Sequence, residues 1–157
     1  MDILDRHGKV IHQYSPPEGE HSLNSSNLSD LDLRNAALSK LVLQGAYFDD
    51  SILDGADLSG SDLYWGSFFR ASLKGANLAG AGLQGADLKE ANLAGADLAR
   101  ANLGTDNLGG STELQGADLS DAILTGAVLT HAEYDTHTLF PTGFDPLKAG
   151  MILVEAS

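Results

Sequence analysis

A large apolar residue recurs at almost every fifth position between Leu23 and Tyr134, and a small residue, most often Ala, stands two positions before it. A period of five matches neither the 3.6-residue period of an α-helix nor the two-residue period of a β-strand. The pattern therefore predicts a repeated unit of another kind. Its apolar centres are Leu23, Leu28, Leu33, Leu38, Leu43, Phe48, Leu53, Leu58, Leu63, Phe68, Leu73, Leu78, Leu83, Leu88, Leu93, Leu98, Leu103, Leu108 and, after one additional residue, Leu114, Leu119, Leu124, Leu129 and Tyr134.

The spacing within one unit indicates how the chain bends. Two residues separated by one position face the same side when the segment between them is extended. The small residue and the Leu can therefore both face inward, while the residue between them faces out. The next two residues turn the chain, and the second of them is often Gly, which tolerates backbone angles that other residues resist. The residues alone thus predict a closed solenoid with a core of Leu and Ala.

The units GADLS, GANLA and RANLG show the repeat most clearly. Their order of small residue, Asp or Asn, Leu, variable residue and Gly resembles the pentapeptide-repeat proteins, in the A(D/N)LxG form abundant in cyanobacteria. The resemblance implies an all-β fold, a right-handed quadrilateral β-helix with four units in each coil. Residues 21–134 would then form about 5.75 coils, each contacting only its neighbours.

Both ends of such a solenoid need covering, because open β-edges invite aggregation. Residues 1–20 are expected to form an N-terminal cap, a β-hairpin around an Asp-Arg-His-Gly turn. Residues 135–157 are expected to form a short C-terminal cap, in which Asp145 followed by Pro146 favours a single helical turn. The additional residue before Leu114 is expected to form a local bulge at a corner.

Composition narrows the classes of partner. Nine Lys and Arg residues against 22 Asp and Glu residues give a formal net charge of −13. Nucleic acids and anionic membranes attract basic clusters, so direct binding to either is disfavoured. No apolar run is long enough to cross a bilayer and no secretory signal is visible, so the cytoplasm is the expected compartment.

The chain carries no recognisable catalytic motif. Its histidines lie outside the regular units or at their margin, and none has the spacing of a helical zinc site. Neighbouring carboxylates such as Asp49 and Asp50 would lie on a convex surface, without a cleft to desolvate them. We therefore expect no metal, no cofactor and no enzymatic activity.

With four units per coil, residues 20 apart lie above one another, and this predicts an acidic strip. Asp57, Asn77, Asp97 and, beyond the additional residue, Asp118 would share one outward ladder. One interpretation is that these side chains only keep the surface solvated. The other is that Asp57, Asp97 and Asp118 contact a basic partner.

A second candidate site is aromatic. Tyr47, Tyr64, Trp65 and Phe69 occupy positions predicted to face outward on adjacent coils, and Arg70 follows directly. Exposed apolar patches often mark interfaces, and Trp, Tyr and Arg are enriched among residues that dominate binding energy. The alternative is that the N-terminal hairpin or the C-terminal tail covers them, or that they pack among themselves.

These observations favour a non-enzymatic protein-protein interaction scaffold with an unknown protein partner and no established specific role. A second function implied by the resemblance is modulation or protection of DNA gyrase by DNA mimicry. The net charge and the rod shape favour it, whereas Leu rather than Phe at the centres, the lack of Cys and the lack of a long loop oppose it. A third possibility is a structural spacer or self-assembling module, either a monomer or an end-to-end homodimer.

Overall fold

The computed structural model describes residues 2–15 and 22–155, and the middle of the chain forms a stack of coils. From Asn27 to Gly82, the outward residue before each apolar centre makes a parallel β-bridge to the residue 20 positions later, for example Ile52 to Ser72 and Asp57 to Asn77. Bridges begin every five residues, so each complete coil carries four of them, and we call each of the four columns of bridges a side. The described residues contain no helix.

Four backbone hydrogen bonds recur in most units, and one of them joins the turns of successive coils, as from Gly60 N to Ala79 O at 2.9 Å. Leu58 N donates to Asn77 O of the next coil at 2.7 Å, and Asn77 N donates back to Ala56 O at 2.9 Å. Ala56 N also donates to Leu53 O at 2.9 Å, which closes the turn between consecutive units. The side chain of Ala56 is fully buried at this turn, and that explains why the position requires a small residue.

The core is a set of stacked side chains along the solenoid axis. The leucine centres from Leu28 to Leu103 are at most 1% exposed. Phe48 and Phe68 lie above one another, with ring centroids 4.9 Å apart and an interplanar angle of 8°. The 20-residue coil therefore places the two rings as the five-residue period predicts.

The prediction of one additional residue before Leu114 is wrong. Asp87 bridges Glu113, 26 positions later, so six residues are inserted into this coil instead of one. Leu108 is not a core centre, because its side chain is 78% exposed, and Leu114 occupies the buried position above Leu88. Residues 106–111, which we call the inserted loop, form a projecting loop where the sequence indicated only a bulge.

Four short strands lie at the two ends. β1 (Asp2–Leu4) and β2 (Val10–Gln13) pair in an antiparallel hairpin with an irregularity between Ile3 and Leu4. The hairpin lies along one side of the first coil, where Ala37 N donates to Leu4 O at 2.7 Å. Ile3 is buried in the end of the core. The remainder of the expected N-terminal cap, residues 16–20, lies outside the described residues, as do residue 1, residue 21 and residues 156–157.

At the other end, β3 (Glu133–Tyr134) pairs in parallel with β4 (Ile152–Leu153). The segment between them contains a tight turn in which an Asp145 carboxylate oxygen accepts hydrogen bonds from Leu147 N and Lys148 N. Side chains of this segment close the end of the core, namely Phe140, Phe144, Ala149 and Met151.

Candidate interaction site

Tyr64 and Trp65 lie together at one corner of the solenoid. They follow the centre Leu63, and their rings are 5.0 Å apart with an angle of 34°. Trp65 occupies the turn position that is Gly in many units, with φ of 56°, and its side chain is 49% exposed. This backbone conformation directs the indole across the outside of the next coil instead of into the core.

The inserted loop holds both aromatic side chains. Trp65 Nε1 donates to Asp106 Oδ2, and the Tyr64 phenol oxygen accepts from Asn107 N at 3.3 Å. The indole crosses Gly85, where an added Cβ would lie only 2.4 Å from Trp65 Cδ1. The two aromatic side chains therefore pack on each other and against this loop. We call Tyr64, Trp65 and the inserted loop the loop site.

Asp106 organises the loop as well as binding Trp65. Its Oδ1 accepts hydrogen bonds from Leu108 N and Gly110 N, each at 2.7 Å, and its own N–H donates to Gly110 O at 2.8 Å. The indole hydrogen bond, together with these backbone N–H groups, lowers the pKa of Asp106 below its ordinary value. The carboxylate is therefore ionised at neutral pH, and the loop is folded around it with Leu108 in solvent.

The other predicted aromatic-site residues do not join this cluster. Tyr47 is 49% exposed but makes no ring contact with Tyr64 or Trp65 in the described structure. Phe69 and Arg70 lie at the next corner, where the guanidinium carbon is 5.8 Å from the Phe69 ring centroid. Arg70 also pairs with Asp50 at 3.1 Å, with both side chains largely exposed. The five predicted residues therefore divide into one cohesive pair and separate surface residues.

The predicted acidic strip is interrupted, and the placement of Asp118 in it is wrong. Asp57, Asn77 and Asp97 share one ladder, but the residue that follows Asp97 is Ile123. Asp118 instead bridges Asn92 on the neighbouring side, because the insertion is one unit longer than the sequence indicated. In addition, the Asp57 and Asp97 carboxylates each accept the N–H two residues later, at 3.0 and 2.9 Å. A continuous acidic ladder is therefore absent from this side of the described residues.

Two further clusters of charge have structural roles. Lys89 Nζ pairs with Asp87 at 3.2 Å and also with Glu113 across the coil that contains the insertion. Asp135 is buried, which opposes ionisation, but hydrogen bonds from Gly116 N and from the 137–138 turn lower its pKa overall. The hydrogen bonds of Asp135 join the last coil to the C-terminal tail. Within residues 2–15 and 22–155, no group of three or more His, Asp or Glu side chains is arranged to hold a metal ion.

Comparison with known proteins supports the resemblance seen in the repeat unit. The sequence profile of the pentapeptide repeats matches eight copies over residues 26–63, 67–104 and 111–133. The chain belongs to the pentapeptide-repeat family. The prediction made from the repeat unit is thus confirmed, and the gap in the match between residues 104 and 111 coincides with the inserted loop.

Several solved structures of this family are similar to the chain. A pentapeptide repeat protein from Nostoc Pcc 7120 is 40% identical, over 72% of this chain and 84% of that one, with a TM-score of 0.49. One from the cyanobacterium Cyanothece 51142 is 32% identical, over 68% and 65% of the two chains, with a TM-score of 0.44. The plasmid-mediated fluoroquinolone resistance protein QnrB1 is 18% identical, over 83% and 73%, with a TM-score of 0.40. The comparison with curated proteins gave no match.

Sequence reasoning identified Tyr64 and Trp65 but missed Gly85, Asp106 and Leu108 as parts of the same site. The signal that could have found them is the run Asp106 to Gly110, because Asp, Asn and two Gly residues within five positions are typical of a tight loop. Among the described residues there is no helix long and apolar enough to cross a membrane.

Proposed function

We propose that this pentapeptide-repeat protein is non-enzymatic and binds a protein partner through the loop site. The observation that carries the proposal is that Leu108 is 78% exposed and lies on a loop whose backbone is held by hydrogen bonds to Asp106. A loop whose backbone is already folded loses little conformational freedom when a partner covers it. Burying Leu108 would contribute about 2 kcal/mol to binding, and half-exposed Trp65 provides a large aromatic surface beside it.

Quantitative capture from a lysate of the source organism tests this proposal. The variants are Leu108→Ser and a deletion of residues 106–111, which restores the 20-residue coil by joining Thr105 to Thr112. The matched control is Leu147→Ser, because Leu147 is 67% exposed in the C-terminal turn, away from the loop.

We expect both loop variants to lose at least nine tenths of a partner that the wild type and Leu147→Ser capture equally. Equal capture by all four proteins would show that the loop site is not the binding surface. Replacing Trp65 with Ser is expected to reduce capture less than removal of the loop does, because Asp106 still receives the backbone hydrogen bonds of the loop.

The proposal also covers the handedness and cross-section of the coil, its two caps and its location in the cell. We infer a right-handed quadrilateral β-helix over residues 21–134 between caps at residues 1–20 and 135–157, located in the cytoplasm. The repeated bridges of 20-residue spacing support the coil, and the family supports its handedness. Fractionation of cells with an antibody to the protein would test the location.

A specific observation also favours self-assembly through the C-terminal end. Leu124 N and Leu129 N find no acceptor among the described residues, and Ala122 O and Ala127 O receive no donor there. In earlier coils the equivalent groups pair with the next coil. Two sides of the last coil therefore present an open β-edge, flanked by Ile123 at 49% exposure, and such edges are templates for another chain.

Sedimentation velocity would test an end-to-end homodimer. We expect a dimer for the wild type and a monomer for Ile123→Lys, which places a charge beside the open edge. Leu139→Lys is the control, since Leu139 is similarly exposed but its backbone is already paired with residues 117 and 119. A monomeric wild type at high concentration would refute self-assembly and leave the loop-site proposal intact.

A further inference from the structure

A polar groove lies beside Tyr64 and is also lined by Asn107 of the inserted loop. Its volume is about 540 Å³, within the range of small-ligand sites. Three of its nine lining residues are glycines, and the other six carry polar side chains. The residues that line it are Gln44, Gly60, Ser61, Asp62, Tyr64, Gly80, Gly82, Gln84 and Asn107.

Gly82 opens the groove without any requirement of the fold. It occupies the outward ladder position that is Asp62 in the preceding coil and Asn102 in the following one. Its φ lies outside the left-handed region, and an added Cβ would meet only Gln84 Oε1, at 3.2 Å. Neither the backbone nor a fixed neighbour therefore excludes a side chain here. Glycine at such a strand position often marks the close approach of a ligand.

Some polar groups of the groove already make hydrogen bonds within the protein, and others remain available to a ligand. Asp62 is fixed, because Oδ2 accepts from Gln44 Nε2 at 2.7 Å and Oδ1 accepts from Tyr64 N at 3.2 Å. The Tyr64 phenol oxygen accepts from Asn107 N, so its own proton remains available to donate. The side-chain amides of Gln84 and Asn107 make no hydrogen bond within the described part of the chain.

This inventory selects one class of ligand. The lining residues include one carboxylate and no Lys, Arg or His, so a phosphate or carboxylate ligand would be repelled. Each available amide offers a donor beside an acceptor, and this pairing matches neighbouring hydroxyl groups, which both donate and accept. The Tyr64 ring adds an apolar surface for the C–H face of a sugar ring. We propose that the groove binds a neutral saccharide.

Saturation-transfer difference NMR with maltose, cellobiose and N,N′-diacetylchitobiose tests the proposal on the full chain. Trp65 is the single Trp and lies against Tyr64, so its fluorescence gives a second reading of the same titration. We expect saturable binding of at least one of these disaccharides and at least tenfold weaker binding of glucuronate than of glucose. Binding of none of the three, or glucuronate binding as tightly as glucose, would overturn the proposal.

Gly82→Asn provides the decisive variant, because Asn already occupies the next position of this ladder at residue 102. It should fold normally, fill the groove and weaken binding at least tenfold. Ser72→Asn is the matched control, since residue 72 has the equivalent outward position on another side of the solenoid. Unchanged binding by Gly82→Asn would refute the site.

If Gly82→Asn fails to fold, Gln84→Ala removes one available amide without adding bulk, and its binding must then fall for the proposal to stand. Leu108→Ser should bind saccharide like the wild type, because Leu108 does not line the groove. The groove and the loop site share Tyr64 and Asn107, but only the protein-binding proposal depends on Leu108, so Leu108→Ser distinguishes failure of one proposal from failure of the other.

Discussion

Replacing Gly85 with Ala should displace the Trp65 indole from the solenoid surface. The new Cβ would lie 2.4 Å from Trp65 Cδ1 and 2.7 Å from Nε1, which is closer than side chains approach. The indole must therefore rotate away, and it cannot do so while it still donates to Asp106. Gly95→Ala is a matched control, because Gly95 has φ of 68° against 71° for Gly85 and no atom within 4 Å of the added Cβ.

The magnitude of the effect follows from this comparison. Both substitutions place a Cβ in the left-handed region, which costs about 1–2 kcal/mol. Gly85→Ala additionally loses the contact between the Tyr64 and Trp65 rings, and such pairs contribute about 0.5–1.5 kcal/mol beyond area burial. It also loses the hydrogen bond from the indole to Asp106, and such bonds contribute about 0.5–1.5 kcal/mol. We therefore expect the free energy of unfolding to fall by about 2 kcal/mol more for Gly85→Ala than for Gly95→Ala.

Urea denaturation measures this difference, and the emission maximum of Trp65 measures the rotation directly. Gly85→Ala should shift the emission of the folded protein to longer wavelength, as expected for an indole that enters water, whereas Gly95→Ala should not. Equal unfolding free energies together with identical emission maxima would refute the reasoning that Gly85 exists to accommodate Trp65.

Three further predictions concern the core, the tail and the surface. Leu78→Ala should lower the free energy of unfolding by about 3 kcal/mol in a urea titration, because the side chain is fully buried. Leu147 is exposed, so Leu147→Ala should change the free energy of unfolding by less than about 0.5 kcal/mol in the same titration. Because the pKa of Asp135 is lowered on folding, its stabilisation is complete above the unfolded pKa of about 3.9 and is lost as the pH falls through the folded value. Asp135→Asn should thus reduce stability at pH 7 and flatten its decline in acid, and a parallel decline would contradict this role. Finally, the interrupted acidic ladder predicts no change in DNA supercoiling by gyrase at tens of micromolar protein, and inhibition there would restore the DNA-mimic hypothesis.

The five-residue period predicts the register of the coils correctly up to Leu103, because side chains 20 positions apart stack wherever every unit has the same length. Phe48 and Phe68 show this directly. The period fails at the insertion for an arithmetic reason. Insertions of one and of six residues leave the later centres in the same phase, so periodicity cannot distinguish them. Leu108 stands five residues after Leu103 and is therefore indistinguishable from a core centre by spacing alone.

The error at Asp118 has the same origin, since one unit too many rotates every later residue to the neighbouring side of the coil. The contact between Trp65 and Asp106 cannot be predicted from the spacing of residues in the sequence. It joins residues 41 positions apart through an indole that lies across an intervening coil, and it depends on the direction of one side chain. The sequence marks both residues as departures from the repeat, but only the packed structure brings them together.

Three departures from the repeat lie near one another on one side of the solenoid and its adjoining corner. Trp65 stands at a turn position that is Gly in the next coil, Gly82 stands between Asp62 and Asn102 of its ladder, and the inserted loop follows Leu103 in the coil after that. A solenoid unit contacts only its neighbours, so the leucine core requires none of these changes for its stability. Their coincidence on three successive coils is therefore better explained by a site that the stack assembles. Such a site exists only when the coils are in register, and so substitutions within it should alter binding while leaving the leucine core intact.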